Sequence, residues 1–392
     1  MKQYSTEILS IIKSIINKGP KDLHVPFFTG HEKYFLNECI STGVVSTIGD
    51  YVNIFEKKIS KITKSKFTVA VNSGTSALHL ALIAANLKKN EEVLMPAFNF
   101  IANANVVSYL GGIPHFVDIE KESLGIDPIK LEHYLLSILK KKRGEYFNKN
   151  SGRKIKILMV THIFGHSAKI KEIKKLANKF NFIMIEDASE ALGSFNDKKH
   201  LGTFGDIGVL SFNGNKIITT GGGGAILTNN KKYFKKIKSL STVCKIQHPW
   251  NYNYHDVGYN YRMPNINAAL GLAQIENLKN LLLSKRKLFE LYNKKIKDLN
   301  WISLLNEPKK CKSNFWLQTL IISKKNKSLL EFIIRYVNKK GIQARPVWNL
   351  INSNKPYRYC PSMNLKNSIE MRERTFNIPS SAGIILSKNE RK

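Results

Sequence analysis

Residues 211–224 read SFNGNKIITTGGGG and place one lysine between an apolar strand and a run of four glycines. The apolar residues predict a strand over 209–212, so Ser211 lies near its carboxyl end, where α/β sheets present their ligands. The glycines permit close backbone packing and positive φ angles. If Lys216 is partly withdrawn from water, its amine can lose a proton and form a Schiff base. Taken alone, the stretch fits a surface lysine beside a glycine-rich turn equally well.

A second polar stretch, EDASEALG over residues 186–193, follows a buried strand predicted over 182–186. Two adjacent carboxylates at a strand end are costly to bury unless a cation or a protonated group pairs with them. Asp187 could therefore face the protonated pyridine nitrogen that pyridoxal phosphate requires as an electron sink. Glu186 and Asp187 could equally interact with a helix N-terminus. Because Asp187 and Lys216 each follow a strand, adjacent strand ends could hold the two ends of one ring.

The stretch NSGTSAL, residues 72–78, predicts a turn that opens a helix. Backbone N–H groups at a helix N-terminus suit a phosphate, and Gly74 permits its close approach. Thr75 adds a hydroxyl, although a plain Ser/Thr N-cap has the same sequence. The stretch is neither a Walker loop nor a Gly-x-Gly-x-x-Gly fingerprint, which disfavours nucleoside triphosphatases and dehydrogenases. Phe100, within MPAFNFIANAN at 95–105, is either a ring-stacking residue or part of the core.

Apolar strands alternate with helical stretches along most of the chain, which is typical of an α/β fold with a parallel sheet covered on both faces. The strands are predicted over 92–95, 114–117, 155–160, 182–186, 209–212 and 225–228. We expect an N-terminal helical extension at 1–24, a large domain at 25–260 and a small C-terminal domain at 261–392. The Lys- and Asn-rich segment 140–154 is expected to be an exposed loop.

The 392 residues include 62 lysines and arginines but 29 aspartates and glutamates, a net charge of +33. Lysine is spread over nearly every helical stretch, whereas a nucleic-acid-binding module concentrates basic and aromatic residues on one element. We therefore expect no nucleic-acid partner, and a field that attracts an anionic small substrate. No apolar run approaches the roughly 18 residues of a membrane helix. The 4 scattered cysteines predict no metal site, and a cytoplasmic enzyme is expected.

The four stretches SFNGNKIITTGGGG, EDASEALG, NSGTSAL and MPAFNFIANAN together resemble the DegT/DnrJ/EryC1/StrS family of sugar aminotransferases. The resemblance covers about residues 25–380. The family consists of fold-type-I enzymes, with a large domain of mainly parallel sheet flanked by helices and a smaller α+β C-terminal domain. The resemblance implies pyridoxal 5′-phosphate as the cofactor. Lys216 would form the Schiff base with it and Asp187 would pair with its pyridine nitrogen. The other implied contacts are Gly74, Thr75 and Ser211 on the phosphate and Phe100 on the ring.

The resemblance also assigns residues outside those stretches. YNYRM at 259–263 matches a segment whose asparagine, here Asn260, reaches the cofactor phosphate of the neighbouring subunit, which implies a homodimer with shared active sites. Glu190 stands where many members have glutamine, beside the ring hydroxyl, and its role stays open. Arg345 and Trp348, within GIQARPVWNL at 341–350, would contact the substrate. His162 is either a structural loop histidine or part of the site.

The implied reaction has two halves, in which L-glutamate gives an amino group that a nucleotide-linked 4-keto-6-deoxy sugar then accepts at C4. Several segments look most like the branch that serves legionaminic acid biosynthesis, which implies UDP-2-acetamido-2,6-dideoxy-hexos-4-ulose as the acceptor. A perosamine-type enzyme acting on GDP-4-keto-6-deoxymannose is the alternative. Sugar dehydratases of the same fold carry histidine in place of the lysine, and a non-catalytic regulator would lack Lys216 or Asp187. This chain has both residues.

Overall fold

The computed structural model describes residues 1–389 and is built around a seven-stranded sheet. Across the sheet, the strands are Phe67–Val71, Gly224–Thr228, Ile207–Ser211, Ile183–Asp187, Ile155–Thr161, Glu92–Pro96 and Ile113–Val117. The last five run parallel to one another, whereas Gly224–Thr228 runs antiparallel to both of its neighbours. Because parallel strands end at the same edge of a sheet, Asp187 and Ser211 lie side by side at that edge.

Successive side chains of one strand serve the two faces of the sheet. Val93 and Met95 belong to the apolar cluster that includes the helix Gly74–Ala84. Leu94, between them, belongs to a second cluster that includes the helix Ile170–Lys179. Burial on both faces explains the nearly continuous apolar runs in the sequence and confirms the expected α/β architecture.

Helices cover the two faces of the sheet and make up much of the small domain. Their bounds are Lys2–Ile16, His31–Thr42, Asp50–Thr63, Gly74–Ala84, Ala102–Tyr109, Pro128–Ile138, Ile170–Lys179, Lys231–Ser241, Asn265–Glu276, Leu278–Ile296, Lys327–Lys339, Lys366–Arg372 and Gly383–Asn389. Within residues 1–389, none of them combines the length and the apolar composition needed to cross a membrane.

The small domain contains an antiparallel sheet of four strands. In order, these are Ile302–Leu304, Gln318–Ile322, Thr375–Ile378 and Arg345–Pro346. In the described part of the chain, residues 1–389, seven further strands are short and form separate small sheets: Leu139–Lys142, Glu145–Asn148, Phe195–Asn196, Lys199–His200, Lys245–Ile246, Asn253–Tyr254 and Cys311–Lys312. The combination of this sheet with helices is the expected α+β arrangement.

The first helix, Lys2–Ile16, contributes to the core of the small domain. Ile8 and Ile12 of the first helix are fully buried in one apolar cluster with Tyr292 and Ile333. In contrast, the helix Asn265–Glu276 packs on two helices of the large domain, His31–Thr42 and Asp50–Thr63. The domain bounds of 1–24, 25–260 and 261–392 stay predictions, and this packing favours grouping the first helix with the small domain.

Two local expectations were wrong. The segment 140–154 is not simply a loop, because Leu139–Lys142 and Glu145–Asn148 pair as an antiparallel hairpin. Arg143 and Gly144, at φ 51° and 82°, supply the left-handed turn that joins the strands. Gly224–Thr228 also breaks the parallel series. No helix lies between it and the preceding strand, so the chain turns back without the crossover that a parallel pair needs.

Candidate functional site

A cavity of about 480 Å³ opens beside the strand ends that carry Asp187 and Ser211. Nine of the ten residues predicted for the site line it: Gly74, Thr75, Phe100, Asp187, Glu190, Ser211, Lys216, Arg345 and Trp348. Asn260 does not line it within a single chain. Its side chain is exposed, and its backbone forms an isolated bridge with Thr242.

Lys216 reaches the cavity from the loop that follows the strand Ile207–Ser211. Its Nζ atom lies 3.9 Å from the ring centre of Trp316 and 3.8 Å from Oε1 of Glu190. Burial lowers the pKa of Lys216 because the ammonium loses its water, while Glu190 and Asp187 oppose this shift. The amine is therefore held closer to its neutral, nucleophilic form than an exposed lysine.

Asp187 presents a fixed carboxylate to the same cavity. Nδ2 of Asn103 donates a hydrogen bond to Oδ2 at 2.9 Å, and the backbone N–H of Ser189 donates to Oδ1 at 3.1 Å. The residue is only 6% exposed, so these two donors rather than bulk water set its orientation. Nδ2 of Asn103 also lies 3.3 Å from Oγ1 of Thr161, which ties the amide to the next strand of the sheet.

Glu190 lies on the other side of the Lys216 amine. Its Oε2 accepts a hydrogen bond from the backbone N–H of Phe164 at 2.7 Å. Burial raises the pKa of Glu190 to about 7, although Lys216 and the Phe164 N–H favour the charged form. This carboxyl is therefore protonated more easily than that of an exposed glutamate.

The turn before the helix Gly74–Ala84 forms an anion-binding corner. Ser73 caps the helix, and its Oγ accepts a hydrogen bond from the N–H of Ser76 at 3.0 Å. A Cβ atom on Gly74 would lie 2.9 Å from Cβ and 3.1 Å from Oγ of Ser211, so glycine lets the two segments approach. The helix N-terminus and the hydroxyls of Thr75 and Ser211 together suit a phosphate.

Aromatic side chains form another part of the wall. Phe100 is 52% exposed, so it belongs to the cavity surface and not to the core. Its ring centre lies 6.4 Å from that of Trp348, which stacks on Phe164 at 5.3 Å. Arg345 lines the same cavity and adds a cationic side chain to its wall.

Glu186 and His162 have a structural role. Both side chains are completely buried, and Nε2 of His162 lies 3.0 Å from Oε2 of Glu186. Burial alone would raise the pKa of Glu186, but the hydrogen bonds from His162 and from the N–H groups of Gly205 and Gly202 lower it instead. Neither residue lines the cavity, so the pair supports the strand that carries Asp187.

Other residues at the site were not predicted from the sequence. The cavity is also lined by Asn99, Thr161, Asn213, Asn215 and Trp316, and Asn103 stands behind Asp187. The asparagines at 99 and 103, close together within MPAFNFIANAN, were a usable signal. Trp316 gave none, because it comes from the small domain, far along the chain.

The donor set fits pyridoxal 5′-phosphate. The corner around Gly74 and Ser211 offers backbone N–H groups and hydroxyls to a phosphate, with the space that a Cβ on Gly74 would fill. The Asp187 carboxylate suits a protonated ring nitrogen, and the Lys216 amine suits an aldehyde. All these groups line one cavity, which a single cofactor can span.

Comparison with known proteins agrees with this geometry. The profile of the DegT/DnrJ/EryC1/StrS aminotransferase family matches residues 29–390. GDP-perosamine synthase of Escherichia coli O157:H7 is 33% identical over 327 residues, which is 83% of this chain and 84% of that protein. UDP-4-amino-4,6-dideoxy-N-acetyl-beta-L-altrosamine transaminase of Campylobacter jejuni strain 81-176 is 33% identical over 262 residues, which is 67% of this chain and 66% of that protein.

Solved structures agree on the fold. Helicobacter pylori PseC, described as an aminotransferase involved in the biosynthesis of pseudoaminic acid, superposes with a TM-score of 0.84 at 24% identity, covering 94% of this chain and 96% of that one. The fold-type-I expectation is confirmed. Aminotransferases of this family depend on pyridoxal 5′-phosphate, the cofactor that the cavity fits. The chain belongs to the DegT/DnrJ/EryC1/StrS aminotransferase family.

Proposed function

We propose that this enzyme transfers the amino group of L-glutamate to C4 of a nucleotide-linked 4-keto-6-deoxy sugar. One observation carries the proposal: the amine of Lys216, the carboxylate of Asp187 and the anion-binding corner at Gly74 line one cavity. An amine that can form a Schiff base, a carboxylate that can pair with a ring nitrogen and a corner that can hold a phosphate together suit amino transfer by pyridoxal phosphate. Arg345 and Trp348 line the same cavity, and we assign them to the second, larger reactant.

Lys216 is the proton carrier of the reaction. Bound pyridoxal phosphate supplies an aldehyde for amino groups and a ring that accepts electrons from the reacting carbon. The amine of Lys216, whose pKa burial lowers, can give up its proton and take one from the substrate carbon as general base. It then returns the proton as general acid. Trp316, 3.9 Å from Nζ, limits the positions that the amine can occupy.

Asp187 and the anion-binding corner hold the cofactor from its two ends. The Asp187 carboxylate stabilises a proton on the ring nitrogen, and its donors Asn103 and Ser189 keep it aimed there. The N-terminus of the helix Gly74–Ala84 and the Ser211 hydroxyl bind the phosphate. Phe100 would cover one face of the ring. Holding both ends would keep the bound cofactor oriented towards Lys216.

The sugar acceptor is a nucleotide diphosphate derivative. Arg345 can bind a diphosphate through two hydrogen bonds, and the net charge of +33 attracts the anion. Our first candidate is UDP-2-acetamido-2,6-dideoxy-hexos-4-ulose, as in the legionaminic acid branch. GDP-4-keto-6-deoxymannose is the second candidate, because the GDP-perosamine synthase covers more of this chain than the altrosamine transaminase does. Such charged metabolites do not cross membranes, so the reaction belongs in the cytoplasm.

We further propose a homodimer with shared active sites. Asn260 lies outside the cavity of its own chain and is exposed. Large side chains close to it in sequence are also exposed, namely Trp250 (75%), Tyr252 (72%) and Val257 (79%). Covering them with a second copy would remove apolar surface from water. It would also allow Asn260 to reach the neighbouring phosphate.

The absorbance spectrum tests the cofactor assignment. We expect purified protein supplied with pyridoxal phosphate to show a Schiff-base band in the visible range, and Lys216→Ala to lose it. Lys238→Ala is the matched control, because Lys238 is also partly buried and also pairs with a carboxylate, Glu56, at 3.0 Å. If Lys216→Ala keeps the band, the assignment of Lys216 is wrong. A colourless protein that shifts labelled DNA at moderate salt would favour the nucleic-acid-binding alternative.

Mass spectrometry of the products tests the substrate. The enzyme is incubated with L-glutamate and a panel of UDP- and GDP-linked 4-keto-6-deoxy sugars. We expect one panel member to become a 4-amino sugar while 2-oxoglutarate accumulates. If no member is aminated although the visible band forms, the substrate assignment fails and the cofactor assignment stands.

Mixed dimers test the sharing of active sites. Lys216→Ala and Asn260→Ala are each expected to be nearly inactive. In a mixed dimer, the chain that keeps Lys216 receives an intact Asn260 from its partner. Random mixing should therefore restore about a quarter of the wild-type activity. No restoration, or a monomer by light scattering, would contradict the shared site.

A further inference from the structure

The two carboxyl oxygens of Glu190 have different neighbours. Oε2 accepts the hydrogen bond from Phe164 N–H at 2.7 Å, whereas Oε1 lies 3.8 Å from the Lys216 amine. The side chain is only 7% exposed, so bulk water does not satisfy either oxygen. One oxygen is thus fixed by the backbone, and the other is left to face the amine that carries the reaction.

The surrounding chain holds Glu190 in this position. Phe164 has φ 54°, in the left-handed region that residues other than glycine seldom adopt. Strain of this kind persists only where neighbouring structure maintains it, and it is frequent at functional sites. Nδ2 of Asn314 also donates hydrogen bonds to the backbone carbonyls of Glu190 and Leu192 at 2.8 and 2.9 Å. Both the side chain and the backbone of Glu190 are therefore anchored.

The charged groups around the pair favour a single shared proton. The ammonium of Lys216 lowers the pKa of Glu190, whereas the negative charge of Asp187 raises it. Burial, Lys285 and Lys216 together lower the pKa of His24 in the N-terminal segment. The remaining wall beside the amine is the uncharged ring of Trp316. Burial disfavours a charge on either member of the pair. A carboxyl and an amine in such contact titrate as one coupled unit.

We propose that Glu190 stores the proton that Lys216 gives up and so sets how much of the amine is free to react. The proton moves between Nζ and Oε1: an N–H bond breaks, its electron pair stays on nitrogen, and an O–H bond forms. Nζ and Oε1 lie 3.8 Å apart, and a small rotation of the flexible lysine side chain brings them within hydrogen-bond distance. Glu190 is thus a positioning residue that acts through Lys216, and its role rests on the proposed function.

Glu190→Gln isolates this role. The glutamine has the same shape, and its carbonyl oxygen can still accept the hydrogen bond from Phe164. It cannot store a proton or carry a charge. Without the carboxylate, the ammonium form of Lys216 loses its nearest stabilising anion. We therefore expect the free amine to form at lower pH in this variant than in the wild type.

Competitive labelling with acetic anhydride measures the free amine directly. The full-length chain, freed of cofactor, is labelled across a pH series, and the modified lysines are quantified by peptide mass spectrometry. We expect Lys216 of Glu190→Gln to be labelled about tenfold faster than wild-type Lys216 near neutral pH. The exposed Lys231 serves as the internal reference and should not change. Superimposable Lys216 curves in the two proteins would overturn the proposal.

The wild-type protein gives a second test that needs no variant. If the pair shares a proton, the labelling of wild-type Lys216 rises in two steps, one for each group. A single step would overturn the proposal even if Glu190→Gln failed to fold. The proposed function fails differently, by the absence of a visible band or of an aminated sugar. Neither of those results changes the labelling curve of the cofactor-free chain.

Discussion

The amine of Lys285, completely buried, donates a hydrogen bond to the carbonyl oxygen of Trp316 at 2.7 Å. It also donates to the carbonyl oxygen of Ser380. The helix Leu278–Ile296 is thereby tied to the residue whose ring lies against the Lys216 amine. Burial lowers the pKa of Lys285 far below its ordinary value of 10.5, and a neutral amine still has the two N–H groups that these carbonyls need.

Lys285→Met should destabilise the protein in a pH-dependent way. Methionine fills the space but leaves two buried carbonyls without donors, which costs about 2 kcal/mol near pH 10. At lower pH the unfolded chain binds a proton on Lys285 that the folded chain does not. The free energy of unfolding of the wild type therefore rises with pH up to the pKa of Lys285 in the unfolded chain. Its advantage over Lys285→Met accordingly shrinks as the pH falls towards 7. Urea unfolding at both pH values measures this, with the exposed Lys287→Met as control. If the wild type and Lys285→Met differ in unfolding free energy by the same amount at both pH values, Lys285 is not neutral in the folded chain.

Asp187→Asn should slow the chemistry more than it weakens cofactor binding. The amide keeps the shape of the carboxylate but cannot stabilise a protonated ring nitrogen. We expect the reaction with L-glutamate, followed as loss of the visible band by stopped-flow absorbance, to slow about 100- to 1000-fold. Asp206→Asn is the control, because Asp206 is a carboxylate of the large domain that does not line the cavity. A rate within a few-fold of the wild type would remove Asp187 from its proposed role.

Gly74→Ala should selectively weaken the phosphate site. The added Cβ would lie 2.9 Å from Cβ of Ser211, which displaces either the helix N-terminus or the hydroxyl. We expect the affinity for pyridoxal phosphate to fall about tenfold or more, and that for pyridoxal, which lacks the phosphate, to change little. Gly214→Ala is the matched control, since a Cβ there meets no atom within 4 Å. Equal losses for both ligands would mean that the corner does not bind the phosphate.

Glu186→Gln should reduce stability at neutral pH and flatten its acid dependence. The variant breaks a fully buried pair with His162, at a cost of about 3 kcal/mol. Because the folded state lowers the pKa of Glu186 below its ordinary 4.5, the carboxylate contributes stability above that value and loses it as pH falls through the folded pKa. Urea unfolding at neutral and acidic pH checks both effects. Glu132→Gln, which breaks an exposed pair with Lys179, should cost less than about 1 kcal/mol.

Local patterns predicted the elements well but not every connection between them. The predicted strand over 155–160 is Ile155–Thr161, and the predicted strand over 92–95 is Glu92–Pro96. Apolar residues predict such elements because the side chains that face the core recur at the spacing of the strand or helix. The hairpin within 139–148 was missed because charged, exposed strands have no apolar signal. Its turn depends instead on two left-handed residues.

The residues of the site also divide into those that a local sequence pattern predicts and those that it does not. Lys216, Asp187 and Gly74 were predicted because each lies in a distinctive stretch at the end of a strand or the start of a helix. The ring of Trp316 lies against the Lys216 amine, and Lys285 holds the backbone of Trp316; both residues come from the small domain, and only the folded chain brings them there. Their contribution depends on contacts between distant segments, which one sequence does not encode locally.

The first helix, Lys2–Ile16, has a consequence for how the protein is made. Its buried face packs with residues such as Ile333 and Phe376, which a ribosome adds only near the end of synthesis. At ordinary elongation rates, that isoleucine stripe stays uncovered for about half a minute while the large domain forms behind it. A chaperone or fusion partner that shields the stripe during this delay should increase the yield of native enzyme.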